Sequence, residues 1–106
     1  MINKGNNMLT SKQRAYLRGL ANSYDTLFQV GKAGITDTLI IQINDALKAR
    51  ELIKINSLEN TPIQPKELAN EIAKIVSCDV VQVIGRKMIF YKRNDKDPKI
   101  VLPKSK

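Results

Sequence analysis

Apolar residues recur three and four positions apart in three stretches of the chain, which is the spacing of one helix face. The predicted helices cover about residues 11–21, 35–50 and 65–77. Thr10 or Ser11 can cap the first, Thr36 can cap the second, and Pro65 suits the first turn of the third. The positions expected to face the core are Tyr16, Leu17, Leu20 and Ala21, then Ile35, Leu39, Ile40, Ile43, Ala46 and Leu47, then Leu68, Ala69, Ile72, Ala73, Ile75 and Val76.

Four runs of strand-forming residues lie between and after these helices, at 26–30, 52–58, 79–84 and 87–91. The last two are joined by Gly85-Arg86, a two-residue hairpin turn with glycine first. Strands joined by helices pack in parallel through right-handed crossovers, whereas a hairpin adds an antiparallel strand. The order α-β-α-β-α-β-β therefore predicts a single α/β domain, with a mixed four-stranded sheet packed with helices in two or three layers.

The charge of the chain makes it a candidate polyanion binder rather than an ordinary small domain. The chain of 106 residues has a net charge of +8, which is concentrated at its two ends. Residues 1–34 and 85–106 are strongly basic, whereas 35–84 carry more acidic than basic side chains. If the fold brings the ends together, they form one basic surface that attracts phosphate. The alternative is a charge excess that serves solubility only.

The sequence lacks the residues that several classes of function require. With no histidine and one cysteine, the chain offers neither a zinc site nor the commonest general base. Cys78 is expected to be a small core residue. The carboxylates that could act in catalysis are expected on solvated helix exteriors: Asp37, Asp45, Glu51, Glu67 and Glu71. We therefore expect no enzyme, no cofactor and no metal.

The chain also lacks an apolar run that could span a bilayer and the apolar centre of a signal peptide. The expectation is a soluble cytoplasmic protein, with a disordered leader at residues 1–8 and a short basic tail at 104–106.

The motif with the clearest chemistry is Gly31-Lys32-Ala33-Gly34, between a predicted strand and the second helix. Glycines let the backbone approach a ligand closely, and the following helix presents free N–H groups and its positive dipole end. Lys32 adds a full charge. The spacing is too short for a P-loop and lacks the third glycine of a dinucleotide fingerprint. Taken alone, the motif is equally well a plain strand-to-helix turn.

Further basic residues are candidates for contact with a nucleic acid. Lys12, Arg14 and Arg18 are expected on the exposed side of the first helix, and Arg86, Lys87, Lys92 and Arg93 form the densest basic cluster. Lys54 is expected to point to solvent. Phe28 and Phe90 are expected in the core, so the sheet does not have the pattern of an aromatic base-stacking platform.

Several segments agree in order and spacing with one known family: 9–17, 28–36, 51–55, 81–85 and the closing 99–103. Over about residues 9 to 103 the chain resembles the CRM domain, in particular its stand-alone bacterial, YhbY-type members. The resemblance implies a fold like the C-terminal domain of translation initiation factor three. It also implies RNA binding, and the bacterial members associate with precursors of the large ribosomal subunit. The family's glycine loop corresponds to residues 31–34, with Lys32 at its usual basic position.

The resulting hypothesis is a monomeric RNA-binding protein that holds the RNA backbone through residues 31–34 and assists ribosome assembly, with large-subunit rRNA as its partner and no membrane contact. The alternative is a protein-interaction module that docks on a translation or assembly factor without touching RNA. Binding to double-stranded DNA is less favoured, because no helix pair has the pattern of a helix-turn-helix motif.

Overall fold

A computed structural model describes residues 9–103 and has the predicted order of elements. The helices are α1 (Ser11–Ala21), α2 (Asp37–Arg50) and α3 (Pro65–Val76). The strands are β1 (Phe28–Val30), β2 (Leu52–Ser57), β3 (Asp79–Ile84) and β4 (Lys87–Tyr91). The predicted leader at 1–8 and the predicted tail at 104–106 lie outside the described residues.

The four strands form one mixed sheet in the order β1-β2-β4-β3. β1 and β2 are parallel, and β4 is antiparallel to both β2 and β3. β2 and β3 therefore point the same way, as predicted for strands joined by a helix. The final strand is nevertheless inserted between them, so the hairpin strand becomes central and β3 becomes an edge.

Helices cover both faces of this sheet, which gives three layers. On one face, α2 and α3 pack against Ile53, Ile55, Met88 and Phe90. On the other, which we call the α1 face, Leu17 and Ala21 pack on inward residues of three strands: Leu52, Val81, Ile89 and Tyr91. Successive strand residues alternate between the two cores, as the pleat requires.

The helix ends follow from their cap residues. The Thr10 hydroxyl accepts the Gln13 N–H, and the Gln13 side chain in turn accepts the Thr10 N–H, which completes a capping box. Two predicted core positions are wrong: Tyr16 and Ile75 are 43% and 51% exposed. Both lie beside the buried stripe of their helix.

The prediction of a solvated Glu51 is also wrong. Its side chain is fully buried between α2 and β2, and its carboxylate accepts three backbone N–H groups. The donors are Asn94 at 2.6 Å, Lys99 at 2.7 Å and Ile100 at 2.7 Å. These bonds hold residues 92–103, which we call the C-terminal segment, against the domain. Charge-assisted bonds to backbone donors are what make a buried carboxylate tolerable.

The C-terminal segment in turn supports α1. Ile100 and Leu102 pack against the core of the α1 face, and the Gln13 side chain donates a hydrogen bond to the Pro103 carbonyl at 3.1 Å. One flank of α1 is therefore covered by chain that is more than 70 residues distant in sequence.

Lys54 does not point to solvent, contrary to the prediction. Its ammonium donates to the carbonyls of Ala21 at 3.1 Å and Tyr24 at 3.3 Å, at the end of α1. Lys92 does the same for α3, donating to the Val76 carbonyl at 2.8 Å. A cation at a helix C-terminus satisfies free carbonyls and complements the dipole.

Cys78 lies at the junction of α3 and β3 and packs against the main core. Burial raises the pKa of its thiol to about 12; the nearby Asp79 adds to the rise and Lys92 opposes it. Because the thiolate is the reactive form, iodoacetamide at pH 8 should alkylate Cys78 on the order of a thousandfold more slowly in the folded protein than in urea. A mass-spectrometric time course measures this, and similar rates in the two states would contradict the burial of the thiol.

Candidate nucleic-acid interface

One end of the sheet collects the glycine loop and two other connections. Here β1, β2 and β3 end, β4 begins, and α2 and α3 start. We call it the loop end; it comprises residues 31–34, 58–64 and 85–87. Leu58 N–H and the Thr61 hydroxyl both donate to the Val30 carbonyl, at 2.9 and 2.6 Å. These bonds tie the 58–64 connection to the start of the glycine loop.

The glycine loop is a tight turn closed by the Gly34 N–H, which donates to the Gly31 carbonyl at 3.0 Å. Lys32 and Ala33 occupy its exposed centre with negative φ angles, which matches a type I turn. Gly34 has φ +68°, a conformation that favours glycine. Gly31 carries no such requirement, and a Cβ there would meet Leu58 at an ordinary 3.6 Å. Only the second glycine is therefore demanded by the fold.

The turn presents donors that can hold an anion. Within residues 9–103, the amides of Lys32 and Ala33 have no hydrogen-bond acceptor. The start of α2 lies directly behind, although the Thr36 hydroxyl already accepts one of its amides, from Leu39 at 3.1 Å. Asp37 in the first turn further reduces its attraction for anions. The turn amides and Lys32 are thus better placed than the helix to meet a phosphate.

The four-residue basic cluster expected near the hairpin is divided by the fold. Arg86 and Lys87 lie at the loop end, where the Arg86 carbonyl accepts the Ser57 N–H at 2.7 Å. Lys92 and Arg93 follow β4, at the opposite end of the sheet, about 17 Å away. There Lys92 is bound to the end of α3, and Arg93 forms an exposed ion pair with Asp95 at 3.2 Å.

The three basic residues of α1 have different surroundings. Lys12 is exposed, whereas Arg14 and Arg18 are partly buried. The Arg14 guanidinium donates to the carbonyl of Val80 and, at 3.4 Å, to that of Val81, where edge strand β3 has a bulge. Arg14 therefore stabilises the junction of α1 with the sheet.

Arg18 lies one helical turn beyond Arg14 on the same flank of α1. The opposite flank, with Gln13 and Leu20, contacts the C-terminal segment. The flank with Arg18 consequently faces the loop end. On the α1 side of the loop end the fold places Lys32, Arg86, Lys87 and Arg18. Lys66, in the first turn of α3, lies near Gly85 on the other side.

Aromatic residues do not form an open platform in the described part of the chain. Phe90 and Tyr91 are buried and Phe28 is partly buried in the main core, which confirms the prediction for Phe28 and Phe90. Burial, with the charge of Glu51 in second place, raises the pKa of Tyr91 to about 12. Residues 9–103 contain no cluster of three potential metal ligands, and none of their helices could cross a membrane.

The charge pattern of the sequence did not indicate two neutral polar residues that lie in the strands beside the loop end. Gln29 and Asn56 pair with each other in the β1–β2 register. Each alternates with core residues along its strand, so both side chains point to the α1 face. The alternation of polar and apolar residues along the two strands is the sequence signal that indicates this shared face.

Comparison with known proteins agrees with this fold. The model of the CRS1 / YhbY (CRM) domain family matches residues 9–92. A Bacillus subtilis protein named Probable RNA-binding protein YqeI is 41% identical over 91% of this chain and 100% of its own length. A Haemophilus influenzae protein named RNA-binding protein is 30% identical over 91% of this chain and 96% of its own. The solution structure of a hypothetical Staphylococcus aureus protein, described as a candidate RNA-binding protein, is 44% identical with a TM-score of 0.76, and covers 91% of this chain and 100% of its own.

Proposed function

Because the chain belongs to the CRS1 / YhbY (CRM) domain family, we propose that it is an RNA-binding protein that holds the phosphate backbone at the loop end. The exposed turn at Lys32 and Ala33 is the observation that carries this proposal, since it combines unpaired backbone amides with a cation. Arg86, Lys87 and Arg18 extend the positive surface on the same side.

Because the fold separates the basic residues, only some of them belong to the proposed RNA contact surface. The turn at Gly31 to Gly34 holds the RNA backbone through the amides of Lys32 and Ala33. The side chains of Lys32, Arg86, Lys87 and Arg18 neutralise phosphates around it. Arg14 supports this surface by fixing α1 on the sheet. Lys12, Lys92 and Arg93 lie away from the loop end and would contribute long-range attraction rather than direct contact.

The proposed biological setting is ribosome assembly in the cytoplasm, with the large-subunit RNA or its precursor particle as target. The support for this is the family resemblance, because the chemistry of the loop end specifies phosphate and not a particular RNA. The protein would act as a monomer and by binding alone, without cofactor or catalysis.

A salt series on structured rRNA fragments tests the phosphate grip. If four cations neutralise phosphates, the logarithm of the association constant should fall with the logarithm of salt with a slope of about −3 to −4. Affinity should then drop about a hundredfold between 50 and 200 mM salt. Fluorescence anisotropy with labelled fragments measures the slope, and a slope near zero would count against a phosphate-binding surface.

A further inference from the structure

A row of four side chains crosses the α1 face at the loop end. The strand register pairs Gln29 with Asn56, Asn56 with Lys87 and Lys87 with Ile84, so that the row spans all four strands. Each of the four neighbours a residue that packs in the opposite core, which directs these side chains to the α1 face. We call this row the strip. Its length across three strand spacings is about 14 Å.

The strip is the part of the α1 face that α1 leaves open. The next row toward the middle of the sheet contains Lys54 and Ile89, which α1 occupies directly. In the strip, by contrast, Gln29 and Lys87 are exposed, Asn56 is half-buried, and Ile84 is 56% exposed. The strip therefore lies between the helix and the loop end, beside the glycine turn that follows β1.

The chemistry of the strip differs from that of an ordinary solvated sheet face. It contains no carboxylate, and within residues 9–103 neither the Gln29 nor the Asn56 side chain has a hydrogen-bond partner. An amide presents a donor and an acceptor side by side, which is the pattern that distinguishes one base edge from another. Lys87 adds a cation in the centre of the row, and Ile84 adds an apolar surface at its end.

From this arrangement we propose that the strip reads the bases of a single-stranded RNA segment whose backbone is held by the glycine turn. This inference rests on the proposed RNA binding and names the form of RNA that the site accepts. A helix about 10 Å in diameter stands on the same face, so a rigid duplex would rest on α1 without reaching short amide side chains on the sheet. A single strand can enter beside α1, and its splayed bases expose the edges that amides bind.

Replacing both amides tests the inference without changing charge. In Gln29→Thr with Asn56→Thr, threonine suits a strand and keeps the fold, but it removes the paired donor and acceptor. Affinities are measured by fluorescence anisotropy for 12-nucleotide poly(A), poly(U) and poly(C) and for a 12-base-pair RNA duplex, each across a salt series. The matched control is Gln42→Ala with Asn70→Ala, two exposed amides on helices of the other face.

The wild type should bind single strands more tightly than the duplex and should discriminate among the three sequences about tenfold, the effect of one good base contact. The threonine variant should lose this discrimination and keep the wild-type salt slope, while the control keeps both. Three results would each contradict base reading by the strip. They are unchanged discrimination in the threonine variant, equal affinity of the wild type for all three strands, and preference of the wild type for the duplex. These failures differ from failure of the phosphate grip, which would appear as a salt slope near zero in every variant.

Discussion

Replacing Glu51 with alanine is expected to lower the free energy of unfolding by about 3 kcal/mol, the largest stability effect that we predict for an ionisable side chain of this protein. The carboxylate is fully buried and accepts the N–H groups of Asn94, Lys99 and Ile100. Its loss leaves three donors without an acceptor. The C-terminal segment should then detach and expose the flank of α1 that it covers.

Urea unfolding followed by circular dichroism measures this effect. Glu71→Ala, which removes an exposed carboxylate from α3, is the matched control and should change stability by no more than about 0.5 kcal/mol. Equal stability of the two variants would show that the three bonds do not hold the segment.

The substitution Glu51→Gln tests the roles of the two carboxylate oxygens separately. Oε1 accepts from Lys99 and Ile100, and Oε2 accepts from Asn94. Glutamine keeps one acceptor oxygen and places an NH₂ group at the other position, against a backbone donor. Amide hydrogen exchange should therefore speed up at Asn94 alone or at Lys99 and Ile100 together, according to which position the oxygen takes.

Reversing the charge of Lys32 together with Arg86 is expected to weaken RNA binding about a hundredfold at 100 mM salt, because each substitution replaces a charge-assisted contact with a repulsion. Both positions are exposed at the loop end, so Lys32→Glu with Arg86→Glu should leave the unfolding transition nearly unchanged. Gly34 is a poor choice for such a test, since its positive φ would make any substitution a change in the turn itself.

Lys74→Glu with Lys96→Glu provides a control with the same change in net charge. Both residues are exposed; Lys74 lies in the last turn of α3 and Lys96 in the C-terminal segment, away from the glycine loop. If binding depended on net charge alone, the two double variants would lose affinity equally. A loss confined to the first variant assigns the effect to the loop end.

The helices and strands could be predicted from sequence because their signals are local. The stripe of α2 is an example: Leu39, Ile43, Ala46 and Leu47 are all buried, as their spacing predicted. The errors at Tyr16 and Ile75 arise at the border of such stripes. Whether a residue at this border is buried depends on how far the sheet extends beneath the helix. The spacing of apolar residues along the helix gives no information on that extent.

Glu51 shows a second kind of limit. Its place between a helix and a strand is typical of a solvated carboxylate, and its three donors come from residues more than 40 positions later. Lys54 and Arg14 are similar cases, since both bind carbonyls on distant elements. The sequence does not distinguish a charged residue that binds distant backbone groups from one that is solvated.

By itself, the sequence determined the α/β class, the element order, the glycine turn and the basic character of the chain, because each depends on neighbouring residues or on composition. Only the tertiary structure decided that β4 inserts between β2 and β3. That insertion aligns Gln29, Asn56, Lys87 and Ile84 in one row. Strand order and register are set by pairing between distant segments, which is why the shape of the proposed RNA surface appears only in the folded protein.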